Sequence, residues 1–276
     1  MKNARTLLII AFASVAQLFY GQERYTISGE FPDRSLDGEC VFLYERSALF
    51  EESERMKQAF KDTILVVGNT FHYEGTLNRQ PFLVSLSCSK GRQFRYNTSF
   101  VIEPGDIQLR IIDWGSEGDV FGTLINNDYN TYIIEREKQV GKMCSLMRAG
   151  REKEAMESDA RQNAVFRDAY THFTEGRLLF GEKYAQYPDV IRSWLATYID
   201  PVNLITRDEA VLSRFLHIVN LMPKAERDIL LAWREYRIKL KEHMVKAKAL
   251  KDSMDVNKPR FIEVVPNRSS SIVENE

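Results

Sequence analysis

Cysteine is scarce in this chain, with three residues in 276, and Cys40, Cys88 and Cys144 lie far apart. No CxxC occurs, which excludes a redox dithiol of the kind set at a helix start. An oxidising compartment permits one disulfide among the three thiols and leaves one over, and spacing does not choose the pair. Histidine is nearly as scarce. His72, His172, His217 and His243 stand in neither HxH nor HExxH spacing, so nothing sets two imidazoles on one metal. His72 alternates with Phe71 and Tyr73 and is expected to point outward. His217, beside Phe215, Leu216 and Ile218, is expected to be a core histidine. A nucleophile elbow, a phosphate loop and a GxGxxG run are all missing. Charge of one sign is missing too: Lys+Arg total 38 and Asp+Glu 39, which excludes the broad basic footprint of a nucleic-acid partner. No apolar run reaches the roughly 20 residues of a membrane-spanning helix. No residue is thereby marked as catalytic, cofactor-binding or metal-binding, and no cofactor is expected.

What is present begins with a leader. Lys2 and Arg5 precede an uncharged, mostly apolar run over 7–20, and Gly21 closes it before the polar Gln22, Glu23 and Arg24. These are the parts of a secretory signal peptide over 1–21, which places the mature protein in the periplasm or cell envelope. Gly21 has the bulky Phe19 two places upstream, so a cut after Ala16 is an alternative, and an uncleaved anchor or a buried helix is another. No Cys stands near the leader's end, so the lipoprotein route is not supported. The whole chain is 44% hydrophobic and 28% charged, the balance of a globular protein.

Over 22–125 the apolar residues recur with period two. Strands are expected from Tyr25 to Phe31, over Cys40–Tyr44, and over Thr63–Val67. The last turns through Gly68-Asn69 into Phe71–Glu74 as a hairpin. Further strands are expected over Phe82–Cys88, Phe100–Ile102 and Ile107–Ile112, the last two around a Glu103-Pro104-Gly105-Asp106 turn. Short strands spaced by turns point to an antiparallel sandwich or barrel. Gly29 is read as a bulge, Glu51–Lys61 as a loop or helical insertion, and Cys88 as a buried structural thiol on the face of Phe82, Val84 and Leu86. Trp114, among Asp113, Gly115 and Ser116, is either a half-buried loop anchor or an exposed stacking surface for a sugar or peptide.

At Asn126-Asn127-Asp128 the period changes to that of helices, and these residues suit an N-cap. Helices are expected over Asp128–Met147, Arg151–Tyr184, Asp189–Ile199, Arg207–Leu221 and Lys224–Asp252, with Pro188, Pro201 and Pro223 at boundaries. The last helix carries an apolar stripe of Ile229, Trp233, Tyr236 and Leu240 opposite a basic face of Arg234, Arg237, Lys239, Lys241 and Lys248, read as a solvated face in preference to a site for anionic membrane or wall polymer. A helical domain over 126–252 and a polar, flexible tail over 253–276 follow. The fold class is α+β.

The β region also resembles a known family, the domain of unknown function 4369, found at the N-terminus of many exported thiol-disulfide interchange proteins. The matching pieces are Ile27-Ser28-Gly29, Val41-Phe42-Leu43-Tyr44, Asp62-Thr63, and Asn69 through Gly75. They continue with Phe100-Val101-Ile102-Glu103-Pro104-Gly105-Asp106-Ile107 and Val120-Phe121-Gly122-Thr123 before Asn126. Gly68-Asn69 departs from the pattern, in which the Gly often comes second. The longer relatives continue through helices into a thioredoxin-like domain. Here Asn257-Lys258-Pro259-Arg260-Phe261 only echoes that domain's opening, and no strand–CxxC–helix follows. The resemblance therefore implies the non-catalytic part alone and transfers no binding residues.

Three functions follow as expectations. The first is a non-enzymatic exported binding or interaction module. The second is an accessory of envelope thiol-disulfide chemistry, binding a thioredoxin-like partner or its substrate; an apolar groove between sheet and helices would favour it. The third is an enzyme whose site assembles only in space, which a deep cavity with clustered carboxylates or His would favour. The first is preferred, with an envelope protein or a thioredoxin-like protein as partner and no nucleic acid.

Overall fold

The computed structural model describes residues 23–46, 60–90, 93–112, 114, 117–141, 159–202 and 208–256. The leader, most of the 51–61 insertion, Cys144 and the tail beyond 256 lie outside the described residues. The strands are β1 (Glu23–Glu30), β2 (Cys40–Glu45), β3 (Lys61–Val67), β4 (Thr70–Leu77), β5 (Phe82–Lys90), β6 (Gln93–Ile102), β7 (Gly105–Arg110) and β8 (Asp119–Phe121). They form one sheet in the order β6-β5-β2-β3-β4-β1-β7-β8, curled into a nearly closed barrel. All neighbours are antiparallel except β1 and β7, which run parallel. The Gly68-Asn69 hairpin forms between β3 and β4, with Gly68 at φ +67°.

Gly29 is not a bulge. The register between β1 and β4 runs unbroken from Glu23 opposite Leu77 to Glu30 opposite Thr70. Instead, Phe71 lies across Gly29, where a Cβ would stand 2.3 Å from its ring, and Tyr25 lies across Gly75 in the same way. Two glycines thus seat two core aromatics between paired strands.

Strand β5 breaks the simple alternation. Phe82, Val84, Leu86 and Cys88 are buried, as the pattern requires, but so are Leu83, Ser85 and Ser87. The helices cover that second face.

Helix α1 (Leu124–Tyr129) continues through a π-helical turn (Asn130–Ile134) and helical residues 135–141. It is followed by α2 (Asp159–Tyr184), α3 (Pro188–Ile199), α4 (Glu209–Leu221) and α5 (Lys224–Val256). Pro188 takes the first turn of α3, where its missing N–H costs nothing. Asp208 caps α4, its carboxylate accepting from the Ala210 and Val211 amides.

Three expectations are corrected here. The first helix begins at Leu124, and Asn126 and Asn127 lie inside it, for a reason given below. His217 is exposed, because α4 turns Phe215, Ile218 and Val219 inward and leaves His217 on the far side. Among the described side chains of α5 Leu230 is buried, with Trp233 beside the core, while Tyr236 is 62% exposed. The inward face is rotated because Arg237 turns in to Asp200, at 2.6 Å, rather than out to solvent. The buried residues of barrel and helices form one continuous cluster, from Tyr25 and Ile27 through Leu83 and Ile133 to Leu195, Phe215 and Leu230. No described helix is long and apolar enough to cross a membrane.

Candidate functional site

The most motif-like residues turn out to be a joint. The Glu103 carboxylate is buried and accepts from the Thr123 hydroxyl at 2.6 Å and from the Asn126 amide N–H at 2.9 Å. Burial raises its pKa above the ordinary carboxylate value although these bonds pull it down. The Asn126 side chain donates to the Val101 carbonyl and accepts from the Val101 N–H, both at 2.8 Å, standing in for a strand beside β6. Asn127 accepts from the Gly122 N–H at 3.0 Å and Asn130 from the Val120 N–H at 3.1 Å, on β8 and just beyond it. Strands β6 and β8 are the two sheet edges. Helix α1 therefore lies in the open seam of the barrel, and its asparagines pair with backbone groups along both edges. This is why they are not an N-cap. Thr123 holds the N-cap position, but its hydroxyl goes to Glu103. Gly122 has φ +101°, and a Cβ there would meet the Asp106 carbonyl oxygen at 2.1 Å.

A second close approach sets the functional groups. Helix α2 crosses the π-helical turn at Gly176, where a Cβ would stand 2.1 Å from the Tyr132 carbonyl oxygen. Arg136 donates to the His172 carbonyl at 2.7 Å across the same crossing. The approach brings Arg177, the next residue of α2, onto the Glu137 carboxylate, with which it forms an ion pair.

Around this pair is a cavity of about 420 Å³ between barrel and helices. Arg46, which follows β2, and Leu83 of β5 form its barrel side. Glu117, from the segment leading into β8, Tyr129 of α1 and Glu137 form another wall. Arg177 and, from α3, Ser193, Trp194, Thr197 and Tyr198 complete it. The Arg177 guanidinium lies over three rings, 4.7 Å from the centroid of Phe173, 5.6 Å from Trp194 and 5.7 Å from Tyr198. Arg46 donates to the Ser99 hydroxyl at 3.1 Å, and Ser99 in turn meets Ser85 at 3.1 Å. These are polar residues on the covered faces of β5 and β6.

The electrostatics are those of a shared proton. Burial, the Glu137 charge and a hydrogen bond to Glu137 push the Glu117 carboxyl up to about 8, with Arg177 and Arg46 pulling the other way. Burial works against the Arg177 charge, but Glu137, Tyr198, Tyr129 and Glu117 outweigh it, and the guanidinium stays charged. Burial also raises the Tyr198 phenol to about 12 and Tyr129 further. Two guanidinium groups and two carboxyls thus line the cavity, with the Glu117 carboxyl held toward its protonated form. The Arg177 Nε–H and the Trp194 indole N–H find no acceptor among the described residues, and Glu117 Oε2 finds no donor.

The residues singled out in the sequence fall elsewhere. His72 is exposed and 3.3 Å from Glu74, His172 and His243 are also exposed, and no group of metal-ligating side chains occurs among the described residues. Trp114 is the half-buried anchor. Its ring stacks on Phe31 at 5.5 Å and its N–H donates to Asp33 at 3.1 Å. Cys40 is exposed and Cys88 buried, and they are not joined. Val41 lies inside while Cys40 faces out, so the two thiols stand on opposite faces of the sheet. Glu117, Glu137 and Arg177 were missed, since no short spacing links them. The one available signal was Gly176 within a long helix, a residue that costs helix stability unless something approaches closely.

Residues 25–129 match the model of a family described as a domain of unknown function (DUF4369), and this segment carries that domain. The match runs from Tyr25, inside β1, through β8 and ends at Tyr129, the last residue of α1 before the π-helical turn. Glu137, Arg177, Trp194 and Tyr198 lie beyond it, so the cavity is completed by residues outside the matched domain. No curated protein matches the chain.

Proposed function

We propose that this chain is an exported, non-enzymatic binding module of the cell envelope, and that it holds a small ligand in the cavity between barrel and helices. The observation that carries the reading is the cavity itself: about 420 Å³, with aromatic walls and two arginines among its lining residues. That size lies in the range of small-ligand sites, and the lining sets four charged side chains and two hydroxyl residues beside Leu83 and the rings of Tyr129, Trp194 and Tyr198. Export rests on the leader. N-terminal sequencing of protein from the envelope fraction is expected to start between Gln17 and Glu23, and an intact Met1 on mature protein would refute it.

Clustered carboxylates in a cavity are also what an enzyme reading asks for. Here Glu117 and Glu137 bond to one another and Glu137 to Arg177. Two carboxyls that flank a glycosidic bond to be hydrolysed stand about 5 Å or more apart. A directly bonded pair lacks that spacing, and here one of its members is also held in an ion pair by Arg177. The cavity reading is tested by ligand-observed NMR of a small-fragment set containing neutral, cationic and anionic members. Wild type is expected to bind some of them, and Thr197→Trp, which fills the cavity, to lose them. Fragments that bind both proteins equally would sink the reading.

A second reading, an accessory of thiol-disulfide chemistry with a thioredoxin-like partner, draws on the outer face of the barrel. Cys40 is exposed there and pairs with Leu65, which is 55% exposed, and Phe42 and Val67 extend the same apolar face. A Cys40-dependent mixed disulfide with an envelope thioredoxin-like protein, trapped by acid quench and absent from Cys40→Ser, would favour it.

A further inference from the structure

The cavity's donors and charges specify more than its size does. Arg46 and Arg177 bring two positive charges to its lining, and Glu137 supplies one negative charge. The carboxyl of Glu117 bonds to that of Glu137, and two carboxyl groups in direct contact hold a proton between them. The lining is therefore one negative charge short. It is also short of acceptors: the Arg177 Nε–H and the Trp194 indole N–H, on residues that line the cavity, are buried without an acceptor among the described residues, against one acceptor oxygen of Glu117. A group that accepts hydrogen bonds and donates none, and that carries a single negative charge, meets both deficits. A carboxylate does so, and its two oxygens match the fork of a guanidinium. In the rest of the wall, Leu83, Trp194 and Tyr198 offer apolar and aromatic surface, beside Tyr129 and the hydroxyl residues Ser193 and Thr197.

We infer that the cavity takes a small molecule with one carboxylate on a flat apolar body, the carboxylate between Arg46 and Arg177 and the body against Leu83, Trp194 and Tyr198. This rests on the cavity being a ligand site, as proposed above. The carboxylate can belong to a free organic acid or to the C-terminus of a peptide. Raising the pH releases it. The groups facing it are Arg46, Glu117, Glu137 and Arg177, with Tyr129, Tyr170 and Tyr198 around Arg177. Of these, Glu117 is the one that loses its proton first above neutrality, which cancels the positive excess.

The test is isothermal titration of the full chain with 3-phenylpropanoate, its amide, and N-acetyl-alanyl-phenylalanine. The acid is expected to bind one to one and at least roughly tenfold tighter than the amide, and Arg46→Gln to lower its affinity by about tenfold or more. Arg46 is exposed and its substitution leaves the core intact, so the comparison does not depend on the half-buried Arg177. Binding is expected to weaken between pH about 6.5 and about 9 in wild type and to weaken much less in Glu117→Gln. Tighter binding of the peptide than of the free acid assigns the carboxylate to a chain terminus, and the reverse assigns it to a small acid. Equal binding of acid and amide, or binding indifferent to Arg46→Gln, overturns the inference. If the amide binds and Thr197→Trp abolishes that binding, the cavity reading survives without the carboxylate. If the acid does not bind at millimolar concentration, the inference is overturned, and the fragment comparison decides the cavity reading separately.

Discussion

Two carboxyl groups in hydrogen-bond contact hold one proton between them, and at Glu117 and Glu137 that proton is coupled to folding. In the unfolded chain Glu117 titrates near its ordinary 4.5, whereas in the folded protein it titrates near 8. Between those values the folded state holds a proton that the unfolded state has lost, so stability falls as the pH rises. One such group contributes a slope of at most about 1.4 kcal/mol per pH unit. Glu103 and Asp189 are also raised, chiefly by burial, and act with the same sign. Glu117→Gln should therefore make the decline between pH 5 and 8 shallower without abolishing it. Urea unfolding at three pH values measures this, and an unchanged slope would show that Glu117 titrates like an ordinary carboxylate. The other residue-scale expectation is a reversal of sign. In an open helix Gly→Ala stabilises by about 1 kcal/mol. At Gly176 the new methyl would meet the Tyr132 carbonyl, so Gly176→Ala should destabilise by roughly 1–3 kcal/mol. A more stable variant in the same urea titration would show that the crossing has slack.

At the scale of elements, α1 is best understood as a substitute for a missing strand. Its Asn126 side chain is fully buried and completes both outward groups of Val101. Asn126→Ala should leave that N–H and C=O unsatisfied and cost roughly 2–4 kcal/mol, visible as a lower urea midpoint; a loss below about 0.5 kcal/mol would show that water replaces the side chain. The strands themselves were legible because period two needs only one buried face, and the Glu-Pro-Gly and Gly-Thr pieces were legible as a family pattern. Their role was not, because Glu103, Thr123 and Asn126 meet only when β6, β7 and α1 are assembled. Leu83, Ser85 and Ser87 misled for the same reason: the alternation assumes water on one side, and α3 supplies protein instead. His217 and Tyr236 were misjudged by neighbours in sequence, when rotation about the helix axis decides burial. Of the cavity only the close approach at Gly176 left a trace in the sequence, since Arg46, Glu117, Glu137 and Arg177 come from four separate segments.

For the molecule as a whole, the outer face of β5 decides how barrel and helices depend on one another. In a barrel standing alone, Leu83, Ser85 and Ser87 would face water; here all three are buried, and α3 packs on that strand. The α1 asparagines tie the first helix to both sheet edges, and the Lys183 ammonium and Tyr184 hydroxyl, both from α2, donate to Asp128. With one apolar cluster running through both parts, opening the helical layer exposes barrel core. Unfolding should then be a single cooperative transition. Tryptophan position makes this measurable: Trp114 stacks on Phe31 beside the barrel, while Trp194 and Trp233 lie in the helical layer. Fluorescence of Trp114→Phe follows the helices, and that of a Trp194→Phe, Trp233→Phe double variant follows the barrel. Each substitution shifts stability on its own, so each protein is also followed by circular dichroism, and within each the two midpoints in urea are expected to coincide. Midpoints that separate within one protein would mean that the helices detach before the barrel melts, and residues 22–125 and 126–252 would then be domains in the thermodynamic sense as well as along the chain.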